Sequence, residues 1–72
     1  MSSVKEIGDL IKKVYQEKVQ GNPIDLVRVY QEGKHFCVIR NDDSRTEIPK
    51  DDIVSKNEDK IAEALNNFTL ID

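Results

Sequence analysis

Apolar residues recur near the start of the chain at Val4, Ile7, Ile11 and Val14, with Leu10 and Tyr15 beside them. Steps of three and four put these side chains on one side of a helix. The pattern predicts a helix over residues 3–19, capped by Ser2 or Ser3. Asp9, Lys13 and Glu17 stand four apart on the wet side and predict a row of weak ion pairs. Gly21-Asn22-Pro23 ends the helix, because glycine suits the C-terminal cap and proline cannot continue the turn.

From Ile24 to Asn41 two apolar runs flank one glycine-containing turn, which predicts a β-hairpin. A two-residue Glu32-Gly33 turn would pair Val29 with Phe36 and Val27 with Val38, four apolar side chains on one face. It would also set Asp25 opposite Arg40 and Gln31 opposite Lys34 at the ends of that face. The other face then carries Ile24, Leu26, Arg28 and Tyr30 against His35, Cys37, Ile39 and Asn41. That face is also largely apolar, more so than a sheet with one wet side requires.

Asn41-Asp42-Asp43-Ser44 has the composition of a turn. Residues 45–48 make a short third strand, ended by Pro49. A second helix is expected within residues 51–68, with Ile61, Ala64, Leu65 and Phe68 as its apolar stripe. Ser55-Lys56-Asn57-Glu58 has the spacing of a capping box, and Asp51 or Asp52 would cap an earlier turn through Ile53 and Val54. The tail, Thr69-Leu70-Ile71-Asp72, is apolar enough to pack or pair. The expected fold is a single small α+β domain, α-β-β-β-α, with two helices packing a three-stranded antiparallel meander.

Composition narrows the function classes. Among 72 residues there is one cysteine, Cys37, and one histidine, His35. An internal disulfide is excluded, and a structural zinc site would need four such ligands. A chain of this length buries only about 60% of its unfolded surface. Chains this small often rely on disulfides, a metal or association, and association is the option left. No apolar run exceeds four residues, too few to span a membrane, and MSSVKEIGDL lacks the pattern of a secretory signal. These features point to a cytoplasmic protein. A net charge of −3 provides no strong field to steer a polyanion.

His35 and Cys37, two apart on one strand, share a face and are the pair with nucleophilic or metal-binding potential. Nothing in the sequence supplies an orienting partner for the imidazole or an oxyanion site, and cysteine is commonly buried as a small apolar residue. Asp42-Asp43 and Asp51-Asp52 lack the spacing of a calcium loop; they suit a turn and a helix start. Gly8, Gly21 and Gly33 are too scattered to cradle a phosphate. No catalytic, cofactor-binding or metal site is assigned, no small-molecule site is expected, and the protein is read as non-enzymatic. Tyr15, Tyr30, Phe36 and Phe68 occupy positions suited to packing. The bases Arg28, Lys34, Arg40, Arg45 and Lys50 are interleaved with acids, and the last 22 residues carry six acids against two lysines. A phosphate-binding surface would want the reverse.

The order helix, three strands, helix at this length resembles that of double-stranded-RNA-binding domains. Ser55-Lys56 and Lys60 are similar to that family's basic start of its second helix, and Gly33-Lys34-His35 to its Gly-Pro-x-His loop. Asn57 stands where that family has Lys, Asp59 and Glu63 where it buries alanines, and the turn before Phe36 is too short to reach into a groove. The resemblance implies, as a second reading, nucleic-acid binding through Lys34, His35, Lys56 and Lys60. The first reading is an interaction module that binds a protein partner, or itself as a homodimer, through the second sheet face. Contact would run through Leu26, Tyr30, Cys37 and Ile39, with Arg28 at the rim.

Overall fold

The apolar stripe of the first helix finds its counterpart on one face of a sheet. In the computed structural model, which describes residues 4–70, Val4–Val14 forms α1 with Ile7, Ile11, Val14 and Tyr15 buried. The expected caps, Ser2 and Ser3, lie outside the described residues. The last turn, Tyr15–Val19, widens to π-helical pitch, and the N–H groups of Gln20 and Gly21 both reach the Tyr15 carbonyl. Gln20, not Gly21, takes the left-handed cap position, at φ 63°. Gly21 serves a different purpose: a Cβ there would collide with the Tyr15 ring, so bare backbone is what lets that ring fold down onto the core.

Four strands, β1 (Leu26–Glu32), β2 (His35–Arg40), β3 (Ser44–Pro49) and β4 (Thr69–Leu70), make an antiparallel meander in chain order. The hairpin turn is Gly33-Lys34, one residue later than the expected Glu32-Gly33. Gly33 takes φ 62° at the first turn position, a conformation that two-residue hairpin turns demand and that glycine adopts without steric cost. Val29 therefore faces Val38 and Gln31 faces Phe36, in place of the expected Val29–Phe36 pair. Each strand slides by one residue, so the slips cancel in parity and Val29, Phe36 and Val38 still share the inner face.

A β-bulge between Leu26 and Arg28 changes the end of β1. It leaves Val27 60% exposed and sets Leu26, opposite Arg40, into the core at 5% exposure. The expected Asp25–Arg40 and Gln31–Lys34 pairs do not form. Asp25 sits instead in a short 3-10 turn, Pro23–Asp25; its carbonyl accepts the Asn41 N–H at 2.8 Å, and its carboxylate accepts the Asn41 amide at 3.3 Å.

Two helices follow where one was expected, α2 (Lys50–Val54) and α3 (Glu58–Leu65). Ile53 and Ile61 are both buried, yet eight residues of continuous helix would turn them about 80° apart. A break, with Lys56 at φ 56°, lets both face inward. The Ser55 capping box does not form. Ser55 closes α2, and Asn57 caps α3 by accepting the Lys60 N–H at 3.3 Å. Asp51 and Asp52 lie in the first turn of α2, and no side chain caps it. Lys13 turns from Asp9 and Glu17 to pair with Glu58 at 3.9 Å, and Lys18 reaches Asp59 at 3.4 Å. α3 lies alongside α1 and offers these carboxylates in place of the expected row.

β3 adds Ser44, Thr46 and Ile48 to the inner face. Thr46 Oγ1 donates to the Ala64 carbonyl at 2.7 Å, and among the described residues no buried side-chain nitrogen or oxygen lacks a partner. Arg40 binds the chain's end to this region. Its guanidinium lies 4.2 Å from the centroid of the Phe68 ring, which meets Tyr15 edge-on at 6.1 Å. Arg40 Nε donates to Ser44 Oγ at 2.7 Å, and the Ser44 hydroxyl and N–H both donate to Asp42. The hydroxyl bond is the main reason that the Asp42 carboxyl is held below the usual range. The tail continues into β4, pairing Leu70 with Ser44 and Thr69 with Arg45; Ile71 and Asp72 lie outside the described residues.

One buried cluster joins α1, α2 and α3 to Leu26, Phe36, Val38 and Ile48. All three helices therefore lie on the same side of the sheet, α1 against β1 and α3 against β3.

Two neighbouring residues are expected to respond in opposite directions. Gly21→Ala overpacks Tyr15 and costs about 1–3 kcal/mol, whereas Gln20→Gly relieves a left-handed residue and gains about 1 kcal/mol; urea unfolding measures both. A second outcome concerns acid. Folding depresses the Asp42 pKa, so its contribution is present above the unfolded carboxyl range and is lost as pH falls through the folded value. Melting temperatures taken from neutral to strongly acid solution should fall more steeply below about pH 4 in the wild type than in Asp42→Asn. Parallel curves would remove Asp42 from this account.

Candidate interaction face on the open side of the sheet

Strand pairing lays the outer face of β1, β2 and β3 out in three rows. They run Glu32–His35–Pro49, Tyr30–Cys37–Glu47 and Arg28–Ile39–Arg45. Glu32, His35, Pro49, Glu47, Arg28 and Arg45 are exposed, while Tyr30 and Ile39 are half-buried. Cys37, at the centre, is only 3% exposed although no helix covers it. Side chains of the flanking strand close over it: Tyr30 stands opposite, and the thiol donates to Glu32 Oε2 at 3.7 Å. Arg28 stacks on the same tyrosine, its guanidinium 4.9 Å from the ring centroid.

This environment decides what Cys37 can do. Burial pushes its thiol pKa up, and the charges of Glu32 and Glu47 push the same way, against a smaller opposing effect of the Tyr30 hydrogen bond. The Tyr30 phenol is raised as well, first by hydrogen bonding with Cys37 and then by desolvation. A neutral, covered thiol is a poor nucleophile and a poor ligand at neutral pH. His35 lies one row away at the hairpin end, exposed, and makes no hydrogen bond to Cys37. Among the described residues no group of three or more His, Cys, Asp or Glu comes together. The cleft between α1 and α2, lined by Ile7, Leu10, Ile53 and Lys56, has a volume of about 240 Å³. Small-molecule sites are commonly ~300–1,000 Å³.

Of the five residues expected to make contact, Arg28, Tyr30, Cys37 and Ile39 share this face. Leu26 does not, because the bulge carries it to the core side. Ile24, also expected here, is 80% exposed in the 3-10 turn before β1, outside the sheet. Tyr30 is on the outer face, whereas Tyr15 and Phe36 join the core. The sequence reading missed Arg45 and Glu47 as members of the face. A signal existed: with Ile48 pointing inward, strand alternation sends Arg45 and Glu47 outward.

The residues of the second reading are spread over separate elements. Lys34 and His35 are at the hairpin end, where the Lys34 carbonyl accepts the Lys50 N–H at 2.8 Å. Lys56 lines the α1–α2 cleft beside Glu6, Lys13 and Glu58, and that cleft includes none of the other three. Lys60 pairs with Glu63 at 3.8 Å. Asp59 and Glu63 are exposed on α3.

Among the described residues no helix is long and apolar enough to cross a membrane. Compared with known proteins, the chain matches no family model, no curated protein and no solved structure.

The Cys37 environment has a direct readout. Alkylation of the native thiol at neutral pH should be at least about tenfold slower than in the urea-unfolded chain, and the native rate should still be climbing above about pH 9. Fast labelling near neutrality would mean an activated thiolate.

Proposed function

We propose that this protein is a cytoplasmic, non-enzymatic interaction module that binds a protein surface, either another protein's or its own, through the open face of its sheet. The observation that carries this reading is the one-sided use of the helices. α1, α2 and α3 all serve the inner face, so the outer face of β1–β3 keeps Tyr30 and Ile39 partly exposed around a covered Cys37. Partly exposed apolar and aromatic groups ringed by charges have the make-up of an interface centre with a polar rim. Arg28, stacked on Tyr30, adds the planar cation that such surfaces favour.

Ile39→Asp replaces a partly exposed apolar side chain of this face with a carboxylate set between Arg28 and Arg45. It is expected to abolish binding of a protein retained from the source cell's extract, or self-association seen by light scattering, with the helical circular-dichroism signal largely unchanged. Lys12→Glu, on the exposed side of α1, is expected to change neither. Binding that survives Ile39→Asp, or that Lys12→Glu abolishes equally, would count against the sheet face.

A further inference from the structure

The charges on the open face are ordered, and their order narrows the partner; the inference rests on the reading just given. On β1, Arg28 lies at one end of the face and Glu32 at the other. On β3, Arg45 shares the row of Arg28 and Glu47 lies one row toward the Glu32 end. The face thus has a basic end, built around Ile39, and an acidic remainder. Among the described residues none of these four charges makes a salt bridge, whereas Lys13, Lys18 and Lys60 on the helical side do. A surface whose opposite charges sit at opposite ends is complementary to itself when turned end for end.

We propose that the occupant of the open face is a second copy of this chain. The copies pack sheet to sheet about a two-fold axis that lies between the sheets and runs across the strands. An axis along the strands would keep like ends together and bring Arg28 over the partner's Arg45. The crossing axis inverts the ends, so Arg28 meets the partner's Glu32 and Arg45 meets the partner's Glu47, each contact occurring twice. With rows about 6.6 Å apart and strands about 4.8 Å apart, the midpoints of these two pairs define an axis inclined about 20° from the perpendicular. Strands of the two copies then cross at about 40°, near the ~30° of aligned sheet packings. Cys37 and Ile39 fall beside the axis, where apolar contact is wanted. Three strands by five residues span only about 14 by 17 Å, against ~800 Å² per partner in stable complexes. The dimer therefore exchanges on dilution and weakens with salt.

Sedimentation from millimolar to micromolar concentration, with amide chemical shifts followed over the same range, tests this. The expected result is a monomer–dimer equilibrium whose shifts map to β1, β2 and β3. Arg28→Glu with Arg45→Glu should weaken it at least about tenfold, Glu32→Arg with Glu47→Arg likewise, and all four together should restore it. A monomer at millimolar concentration overturns the second copy, while the sheet-face reading stands or falls by Ile39→Asp. A dimer whose shifts map to α1 or α3 overturns the proposal, and the sheet-face reading as it applies to self-binding. A sheet-face dimer indifferent to the paired reversals, or a folded fourfold variant that stays dissociated, overturns the crossing orientation.

Discussion

The packing of α1 and α3 against one face of the meander is the constraint on which the rest depends. Ile11 and Val14 from one helix and Ile61 and Leu65 from the other enclose Phe36, Val38 and Ile48, all fully or nearly fully buried. Burying one such side chain is worth ~1.5–3 kcal/mol, and this short chain has few others to use. Every helix is committed to the same side. Thr69 and Leu70, the last described residues, pair along the edge of β3 as a fourth strand. The open face follows from the way the core is filled.

Several local departures from regular structure follow from filling that inner face. The bulge at Val27 exposes one apolar residue and brings Leu26 inward. The break at Lys56 puts a lysine in left-handed backbone so that Ile53 and Ile61 can both turn to the core. At the end of α1, Gln20 adopts another such conformation while Gly21 makes room for Tyr15. Left-handed backbone is unfavourable for residues with a Cβ, and tertiary burial outweighs that local cost here.

The same departures mark where sequence reasoning stopped. Helix α1 was legible because Ile7, Ile11 and Val14 keep helical spacing over several turns. The two-residue hairpin loop was legible too, but its placement was not. The expected Glu32-Gly33 turn and the observed Gly33-Lys34 turn both keep Val29, Phe36 and Val38 on one face, so hydrophobic pattern does not separate them; the φ of Gly33 does. Leu26 and Val27 are equally apolar, so nothing in their order announces a bulge. The break in the second helix was half-visible, since Ile53 is out of phase with Ile61. The capping-box spacing pointed to Ser55, but the geometry needed by Ile53 puts Ser55 at the end of α2 and leaves Asn57 to cap α3. On the open face, Arg28, Tyr30, Cys37 and Ile39 follow from alternation in the hairpin. Leu26 left with the bulge, and Arg45 and Glu47 required following alternation into β3.

Contact through this sheet is better placed on its face than on its edges. At one edge, β1 is interrupted by the Val27 bulge and flanked by the groove that Lys5 and Lys12 of α1 line. Bulges and lysines are the devices that discourage strand addition. At the other edge, β4 pairs with the first residues of β3 and Pro49, lacking an N–H, closes its last. Both edges are thus blunted by backbone and charge. On the outer face Tyr30 and Ile39 are partly exposed beside the covered Cys37, and among the described residues its four flanking charges have no salt-bridge partner. Blunted edges and ordered charges on one face are why the proposed association is placed on that face and not at an edge.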